Sequence, residues 1–304
     1  MLKNALKIHF NLEILDIQLI KRIDTLVFKI ETTDKQYFVA KLYKKHNRVL
    51  IEKIAQNALF LSFIKTHTAL KVQAAPNLFF PLIDWENEKR YLVLGDWIEG
   101  SPPSVVDAAL CYKMGAMMAQ LHKAAEYFST LHSQSLNVLN IDNVLVQAVK
   151  HKIIRYKQVL KVNENELDKA FLGIENTYKK YETTPSVWGL IHSDLHFKNV
   201  IQNGDDLSPI DFDEVAYGYY WLDIAITFNE IENKKESITL KRAYIKGYKK
   251  HRSLPKDFSD QIIDFQRMAH CIYLNWLLAE GNEELMKNEK LARYAEASLA
   301  NILL

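Results

Sequence analysis

Cysteine is scarce in this chain, with two residues among 304. Cys111 and Cys271 lie far apart in the sequence and in apolar surroundings, so neither a disulfide framework nor a cysteine-based zinc site is predicted. An excess of charge of one sign is also missing, because the formal net charge is only +2 at pH 7. A basic surface for nucleic acid is therefore not expected.

Long hydrophobic runs are absent as well. No apolar stretch approaches the roughly 20 residues that a membrane-spanning helix needs. The apolar start of the chain is interrupted by His9, Asn11, Glu13 and Asp16, which is not the pattern of a signal peptide. The apolar and charged fractions, 48% and 25%, are those of a globular protein. We expect a protein of the reducing cytoplasm with no membrane partner, and the sequence does not indicate its oligomeric state.

What the sequence does contain is a set of polar residues at distinctive spacings within residues 187–223. The motif H-S-D-L places Asp194 five residues before Asn199, and Asp211 follows twelve residues after Asn199. Apolar residues flank these positions, and Gly204 lies between them with two aspartates. The segment therefore predicts short strands that form a hairpin and hold the polar residues at their ends.

These residue types fit phosphoryl transfer, which needs an acceptor for the substrate proton and oxygen ligands for magnesium. Asp194 is predicted to be the catalytic base that orients a substrate hydroxyl. Asn199 and Asp211 are predicted to be the magnesium ligands, because Mg²⁺ prefers oxygen donors and takes one or two protein carboxylates. The spacing H-x-D-L-x-x-x-N followed by D-F matches the kinase signature set.

The segments HSDLHFKNV and IDFDEVAYGYYWLDIA resemble the aminoglycoside phosphotransferase and choline kinase family. That family reads H-G-D-L-H-x-x-N-V, then I-D-F-D, then a glycine and a final Asp-hydrophobic-Ala, here Gly218 and Asp223. Ser193 departs from the family pattern, which has glycine there. The resemblance implies that Asp223 braces the catalytic loop through hydrogen bonds.

The resemblance also implies an α+β, protein-kinase-like fold with two lobes. Residues 1–95 would form a nucleotide-binding lobe with a small β-sheet, and residues 96–100 a hinge. Residues 101–304 would form a mostly helical lobe that carries the catalytic and substrate residues. Backbone groups of Asp96 and Ile98 in the hinge would hold the adenine edge of the nucleotide.

Lys41 lies inside the predicted strand YFVAKLY, on the opposite face from Phe38, Ala40 and Leu42. In kinase-like folds such a lysine binds the α- and β-phosphates of ATP, although an edge-strand lysine can also extend its amine to water. The family places a glutamate on the next helix to pair with this lysine, but this chain has Gln56 and Asn57 there. Either Glu52, one turn earlier, pairs with Lys41, or an amide does so more weakly.

Periodicity predicts further elements along the chain. Strands are expected at residues 15–20, 25–32, 37–43 and 90–94. Residues 128–150 read as irregular. Helices are expected at residues 48–66, 106–127, 153–182, 238–251, 259–280 and 283–303, with Gly281 and Asn282 as a break.

The predicted activity is ATP- or GTP- and Mg²⁺-dependent phosphorylation of a small-molecule hydroxyl, on an aminoglycoside, an amino alcohol or a homoserine-like acceptor. Acidic residues of the last helices could line a site for a cationic acceptor, although singly they read as surface acids: Glu230, Glu232, Asp264 and Glu280. Residues 21–24 contain no glycine, which argues against an ordinary eukaryotic-type protein kinase.

Three alternatives stay open from the sequence alone. The first is a bacterial Ser/Thr protein kinase of the same superfamily. The second is a nucleotide-binding protein that has lost catalysis, which the missing helix glutamate and glycine loop favour slightly. The third is a metallohydrolase that uses His192, Asp194 and His196, but it lacks further histidine ligands at metal spacing.

Overall fold

A computed structural model describes residues 1–22, 25–44, 48–131, 140–156, 160–232, 234–278 and 289–303. The chain divides into two compact units. Within the described residues, the first unit comprises residues of Met1–Ser104 and Lys198–Asp213, and the second comprises Val105–Leu131 and residues of 140–197 and 214–303. None of the helices in these ranges is both long and apolar enough to cross a bilayer.

The first unit is built on a five-stranded antiparallel sheet in the order β1-β2-β3-β5-β4. One helix precedes the sheet and another connects β3 to β4. These elements are α1 (Leu2–Phe10), β1 (Ile14–Arg22), β2 (Leu26–Thr32), β3 (Tyr37–Lys44), α2 (Arg48–His67), β4 (Leu82–Trp85) and β5 (Glu88–Asp96).

The alternation of apolar residues along β3 decides which face of the sheet is buried. Ala40 and Leu42 are fully buried in the apolar core, and Phe38 packs against it from the same face. Leu2 and Leu6 of α1 cover this core. Because side chains alternate along a strand, the intervening residues of β3 face away from the core. The predicted orientation of the strand is confirmed.

The same unit contains the predicted hairpin, formed by β7 (Val200–Asn203) and β8 (Asp206–Pro209). Gly204 takes a φ of +58° at the turn, a conformation that glycine adopts at little cost. Gly100 approaches the hairpin so closely that a Cβ there would lie 2.3 Å from the Gln202 carbonyl oxygen. The segment after β5 therefore packs against the hairpin backbone.

The second unit is mostly helical and contains one two-stranded antiparallel sheet, β6-β9. Its elements are α3 (Ala108–Leu131), α4 (Asn143–Arg155), α5 (Glu164–Lys180), β6 (Trp188–Ile191), β9 (Ala216–Tyr219), α6 (Tyr220–Ile231), α7 (Ser237–Tyr248), α8 (Phe258–Leu277) and α9 (Glu289–Leu303).

Two glycines allow α3 and α7 to pack backbone against backbone. A Cβ at Gly115 would lie 2.0 Å from the Tyr244 carbonyl oxygen, and a Cβ at Gly247 would lie 1.9 Å from that of Tyr112. Neither position tolerates a side chain without a shift of one helix. This contact fixes the position of α3 within the second unit.

Three predictions about helices are wrong. The helix expected over 153–182 is two helices, because α4 ends at Arg155 and α5 begins at Glu164. The region 128–150, expected to be irregular, contains the end of α3 and most of α4. The helices α1 and α6 were not expected. The predicted break at Gly281 and Asn282 lies outside the described residues.

Candidate active site

The polar face of β3 carries a cluster of charged groups within the first unit. The Lys41 ammonium donates to Asp211 Oδ1 at 2.9 Å and to Asp213 Oδ1 at 2.8 Å. The Tyr43 hydroxyl donates to the same Asp213 oxygen at 2.7 Å, and Lys21 of β1 donates to Asp211 Oδ2 at 3.2 Å. We refer to these five residues as the charge cluster. Two strands and the segment after β8 thus bring two cations and two anions together.

The protonation states of the charge cluster follow from this pairing. Burial alone would lower the pKa of Lys41, but Tyr43, Asp213 and Asp211 together raise it well above its ordinary value. Burial would raise the pKa of Asp211, but Lys41 and then Lys21 hold it well below its ordinary value. Lys41 is therefore a cation and Asp211 an anion across the physiological range.

The two predicted magnesium ligands lie at the open end of the hairpin, Asn199 directly before β7 and Asp211 two residues after β8. The Ile210 N–H donates to the Asn199 carbonyl oxygen at 2.9 Å, which places Asn199 opposite the residue before Asp211. Asp211 has a φ of +64°, an unusual conformation for a residue other than glycine. Such local strain is found at functional sites, where the surrounding structure maintains it.

Helix α2 contacts this segment through an amide. Asn57 Nδ2 donates to the Phe212 carbonyl oxygen at 2.7 Å, and the buried Phe212 ring packs edge-on against Phe60 with centroids 6.4 Å apart. Glu52 lies in the first part of the same helix, partly buried, and its pairing with Lys41 stays a prediction. An α2 amide therefore holds the backbone between the two aspartates of the charge cluster.

The predicted adenine-binding residues lie at and beyond the end of β5. In the sheet register, Asp96 pairs with Phe38, and Val93 pairs with Lys41 on the same two strands. The Asp96 N–H donates to the Ala74 carbonyl oxygen at 3.0 Å, so a ligand would have to use the carbonyl side of Asp96. Ile98 is 8% exposed.

The loop of residues 192–197, which carries the predicted base and is called the catalytic loop below, belongs to the second unit and is held by one face of α6. The Asp223 carboxylate accepts the N–H groups of residues 192 and 193 at 2.9 and 2.8 Å. Thr227 donates to the Leu195 carbonyl oxygen at 2.9 Å, and Glu230 accepts the Phe197 N–H at 2.8 Å. The spacing of Asp223, Thr227 and Glu230 is that of one helix face. The bracing predicted for Asp223 is confirmed.

A buried histidine supports Asp223 from the other side. His122 of α3 lies with Nε2 3.0 Å from Asp223 Oδ2 and Nδ1 2.9 Å from the Tyr248 hydroxyl. Since the carboxylate can only accept, Nε2 donates to Asp223 and Tyr248 donates to Nδ1. Burial lowers the pKa of His122, although Asp223 opposes the shift. The neutral imidazole therefore joins three helices of the second unit at the base of the catalytic loop.

The predicted base itself projects from this braced loop. The Asp194 side chain is 48% exposed, and one of its oxygens lies 3.8 Å from His196 Nε2. Ser193 beside it has a φ of +58°, which explains why the family pattern has glycine there. The Ser193 hydroxyl donates to the Glu214 carbonyl oxygen, a bond that glycine could not make. Among the described residues, no three His, Cys, Asp or Glu side chains form a ready metal site.

The acids suggested for a cationic acceptor are engaged in bonds within the second unit. Glu230 holds the catalytic loop, Glu232 accepts from Lys241 and Gln266, and Asp264 accepts from Thr177 and Arg267. Glu280 lies outside the described residues. Glu232 and Asp264 thus connect neighbouring helices of the second unit, and Glu230 connects α6 to the catalytic loop.

Comparison with known protein families identifies the family of this chain. A model of the APH phosphotransferase enzyme family matches residues 16–257. The chain belongs to this family. The matched residues include both segments that carry the resemblance, so the family predicted from the sequence is confirmed.

Curated relatives and solved structures agree with this membership in the phosphotransferase family. A homoserine kinase of Neisseria meningitidis serogroup B is 30% identical over 186 residues, which cover 58% of this chain and 55% of that kinase. A homoserine kinase of Rhodopseudomonas palustris (strain TIE-1) is 26% identical over 242 residues, covering 75% and 68%. The chain therefore matches about half of the Neisseria protein's length and about two thirds of the Rhodopseudomonas protein's length.

A solved structure of amicoumacin kinase superposes on the chain with a TM-score of 0.71 at 14% identity, covering 98% of this chain and 91% of that one. At this identity the likeness shows the fold alone. The α+β, protein-kinase-like fold predicted for this chain is confirmed.

Sequence reasoning did not predict several contacts of the predicted site residues within each unit. In the first unit, Asp213 and Tyr43 belong to the charge cluster, and Asn57 bonds the backbone between its two aspartates. In the second unit, Thr227 and Glu230 join Asp223 on α6. The i, i+4, i+7 spacing on α6 was visible in the sequence. The pairing of Asp213 with Lys41 was not, because it depends on how two distant segments meet.

Proposed function

We propose that this protein is a kinase that transfers the γ-phosphoryl group of ATP or GTP to a hydroxyl of a small molecule in the cytoplasm. The single observation that supports this most strongly is the Lys41–Asp211 ion pair, which forms where the chain leaves the hairpin. Membership in the phosphotransferase enzyme family supports the same activity.

On the nucleotide side, Lys41 would bind the α- and β-phosphates, and backbone groups of Asp96 and Ile98 would hold the base. These residues lie in the first unit, on and after adjacent strands. A fixed cation next to the phosphates lowers the barrier because the transferred group and the leaving group carry negative charge. Residues 1–95, 96–100 and 101–304 would then act as nucleotide lobe, hinge and catalytic lobe.

The donor set of the hairpin fits a magnesium ion. Asn199 and Asp211 would hold it, since they supply an amide oxygen and a carboxylate that the neighbouring lysines keep ionised. When bound, the ion neutralises phosphate charge. Lys21 and Lys41 contact both oxygens of Asp211, so a cation at Asp211 would share these oxygens with the ammonium groups or replace one of them.

On the acceptor side, Asp194 would accept the proton of the attacking hydroxyl. Its partial exposure leaves room for a substrate, and the α6 bonds fix the loop from which it projects. Positioning of this kind supplies much of the catalysis in phosphoryl transfer.

We propose homoserine, or a similar small molecule with an amine and a primary hydroxyl, as the acceptor. The curated relatives reported above are homoserine kinases at 26–30% identity. An amine-bearing alcohol is also within the acceptor range that the family resemblance implies.

The test is a transfer assay with Mg²⁺ and either ATP or GTP against homoserine, ethanolamine, choline and an aminoglycoside, read by ³¹P NMR of the products. The matched control is 2-aminobutyrate, which is homoserine without its hydroxyl. We expect a phosphomonoester signal from homoserine and none from 2-aminobutyrate.

A second arm uses ATP labelled in its γ-phosphate and a fractionated cell extract in place of the pure acceptors. Labelled phosphate that appears only in the protein fraction would replace the small-molecule proposal with the protein-kinase alternative. Absence of transfer with every nucleotide and acceptor, together with absence of nucleotide binding, would contradict the proposed activity altogether.

A further inference from the structure

The Lys41 ammonium is surrounded by carboxylates that belong to a single segment of the chain. The Lys41 side chain is only 11% exposed, and its nitrogen lies 2.9 Å from Asp211 and 2.8 Å from Asp213. A cation with so little access to water requires an anionic partner, because burying an unpaired charge is costly. In protein kinases, this partner is a glutamate of the helix that follows the strand.

The two aspartates are not equivalent. Asp211 also contacts Lys21, and as a magnesium ligand it would share its oxygens with the metal. The oxygen of Asp213 that bonds Lys41 also accepts the Tyr43 hydroxyl at 2.7 Å. Asp213 is thus the carboxylate that stays committed to Lys41 when Asp211 is engaged elsewhere.

We propose that Asp213 is the positioning residue of Lys41, in the place of the helix glutamate of protein kinases. The proposal rests on the proposed function, because Lys41 is taken to be the nucleotide lysine. Asp213 acts through Lys41: it holds the ammonium at a fixed place on β3 and neutralises it until phosphate arrives.

The backbone that carries Asp213 is rigid enough for this role. Phe212, one residue earlier, is 3% exposed, and its carbonyl oxygen accepts the Asn57 amide at 2.7 Å. Helix α2 therefore acts on Lys41 indirectly: its amide holds the segment, and the segment supplies the carboxylate.

Tyr43 completes the arrangement. Burial and the Asp213 charge raise the pKa of Tyr43 well above its ordinary value, so the phenol keeps its proton and donates. Tyr43 and Lys41 are two residues apart on β3 and point to the same face. Asp213 is therefore bonded by two groups of one strand, which restricts its rotation.

The experiment compares wild type with Asp213→Asn, Asp213→Glu, Tyr43→Phe and Glu52→Gln, with Glu31→Gln as a matched surface control that loses only an ion pair with Lys35. Loss of a charge-assisted bond to Lys41 should raise KM for the nucleotide about tenfold in Asp213→Asn, with a smaller change in kcat. Asp213→Glu should recover part of this loss, and Tyr43→Phe should shift KM in the same direction by less. Melting temperatures show whether each variant is folded.

A second measurement needs no turnover. NMR of the side-chain ammonium groups of nucleotide-free protein, assigned with Lys41→Arg, should show a slowly exchanging Lys41 signal in wild type and Glu31→Gln. That signal should be lost in Asp213→Asn. If wild type transfers no phosphate but this pattern holds, the proposed function fails while the positioning of Lys41 by Asp213 stands.

Two results would overturn the proposal. One is an active wild type whose nucleotide KM and Lys41 signal do not change in a folded Asp213→Asn. The other is a larger effect of Glu52→Gln than of Asp213→Asn on both readouts, which would return the pairing role to the helix.

Discussion

Asp211 and Asp213 are held by lysines of a β-sheet, whereas the catalytic loop is held by hydrogen bonds from one buried helix face. In the charge cluster, the carboxylates are about a quarter exposed and bond cations that substrate phosphate would also attract. At the catalytic loop, Asp223 and Thr227 are fully buried and bond backbone groups. The first set of contacts is accessible to water and ligands, and the second is buried.

This difference indicates the function to which each region is suited. A site that must accept a metal and phosphates needs counter-charges that can rearrange, and ion pairs with partial access to water can do so. A loop that must present a base needs a fixed backbone, which fully satisfied buried hydrogen bonds provide. Substitutions in the two regions should therefore affect different quantities.

The largest effect should follow from removing the base. Asp194→Ala should lower kcat by about a hundredfold or more, in the range of general acid–base catalysis. Because Asp194 is half exposed, the melting temperature should change little. Steady-state kinetics and thermal melting check both. Near-normal turnover in this variant would remove Asp194 from the mechanism.

The next largest effect should follow from replacing Asp223, whose carboxylate accepts hydrogen bonds from the catalytic loop. Asp223→Asn keeps one acceptor oxygen but sets an NH₂ group against an N–H or imidazole donor of the buried site. We expect a loss of about 3 kcal/mol in the free energy of unfolding, since bonds to a buried charged group are lost. Urea unfolding measures this.

Thr227→Val is the matched control for that substitution, because it removes one neutral hydrogen bond at nearly constant shape. It should cost about 1 kcal/mol. An Asp223→Asn protein that is no less stable than Thr227→Val would contradict the idea that the carboxylate dominates the brace.

The pH dependence of stability provides a separate test of the buried groups in the second unit. Burial lowers the pKa of His122, and burial lowers that of His270 to about 4. Below about pH 6.5 the unfolded chain binds protons at these positions that the folded chain does not bind. The free energy of unfolding should therefore fall as the pH decreases, by up to about 1.4 kcal/mol per pH unit for each histidine.

Urea unfolding between pH 7.5 and 5 measures this slope, and His270→Gln should reduce it. The charge cluster should not contribute there, because the pKa of Lys41 is raised and that of Asp211 lowered. A stability that is constant over this range would contradict the buried neutral state of both histidines.

The smallest effect is expected at Ser193. A φ of +58° at this position destabilises a residue that has a side chain by about 1 kcal/mol, and glycine does not have this cost. Glycine would also lose the hydroxyl bond to Glu214 and gain freedom in the unfolded chain. The opposing terms should leave Ser193→Gly within about 1 kcal/mol of wild type by urea unfolding, and a larger change in either direction would show that one term dominates.

Helices α4 and α5 show how far the fold could be predicted from the sequence. Asp142 caps α4, and Asn163 caps α5 with Glu166 three residues later, a recognised start signal for a helix. Both signals are present in the sequence, the first within a region that reads as irregular and the second within a longer helical pattern. Helix α6 is apolar on nearly every side because it is buried, so periodicity could not identify it.

For the candidate site, the sequence motifs predicted which residue types matter, and the contacts between distant segments could not be read from them. Asp211 and Lys41 are 170 residues apart and meet as an ion pair. The same motif contains Asp213, but nothing local shows that both carboxylates bond the lysine. Their orientation accompanies the unusual φ of Asp211 and the Asn57 bond from a distant helix.

Most of the proposed mechanism depends on one interaction: Asp211 would bind a metal–nucleotide complex in the first unit. Titration calorimetry of ATP and GTP into wild type and Asp211→Ala, each with and without Mg²⁺, tests it directly. We expect Mg²⁺-dependent binding of at least one nucleotide to wild type, and loss of this binding in Asp211→Ala. Equal affinity of the two proteins in the presence of Mg²⁺ would contradict it.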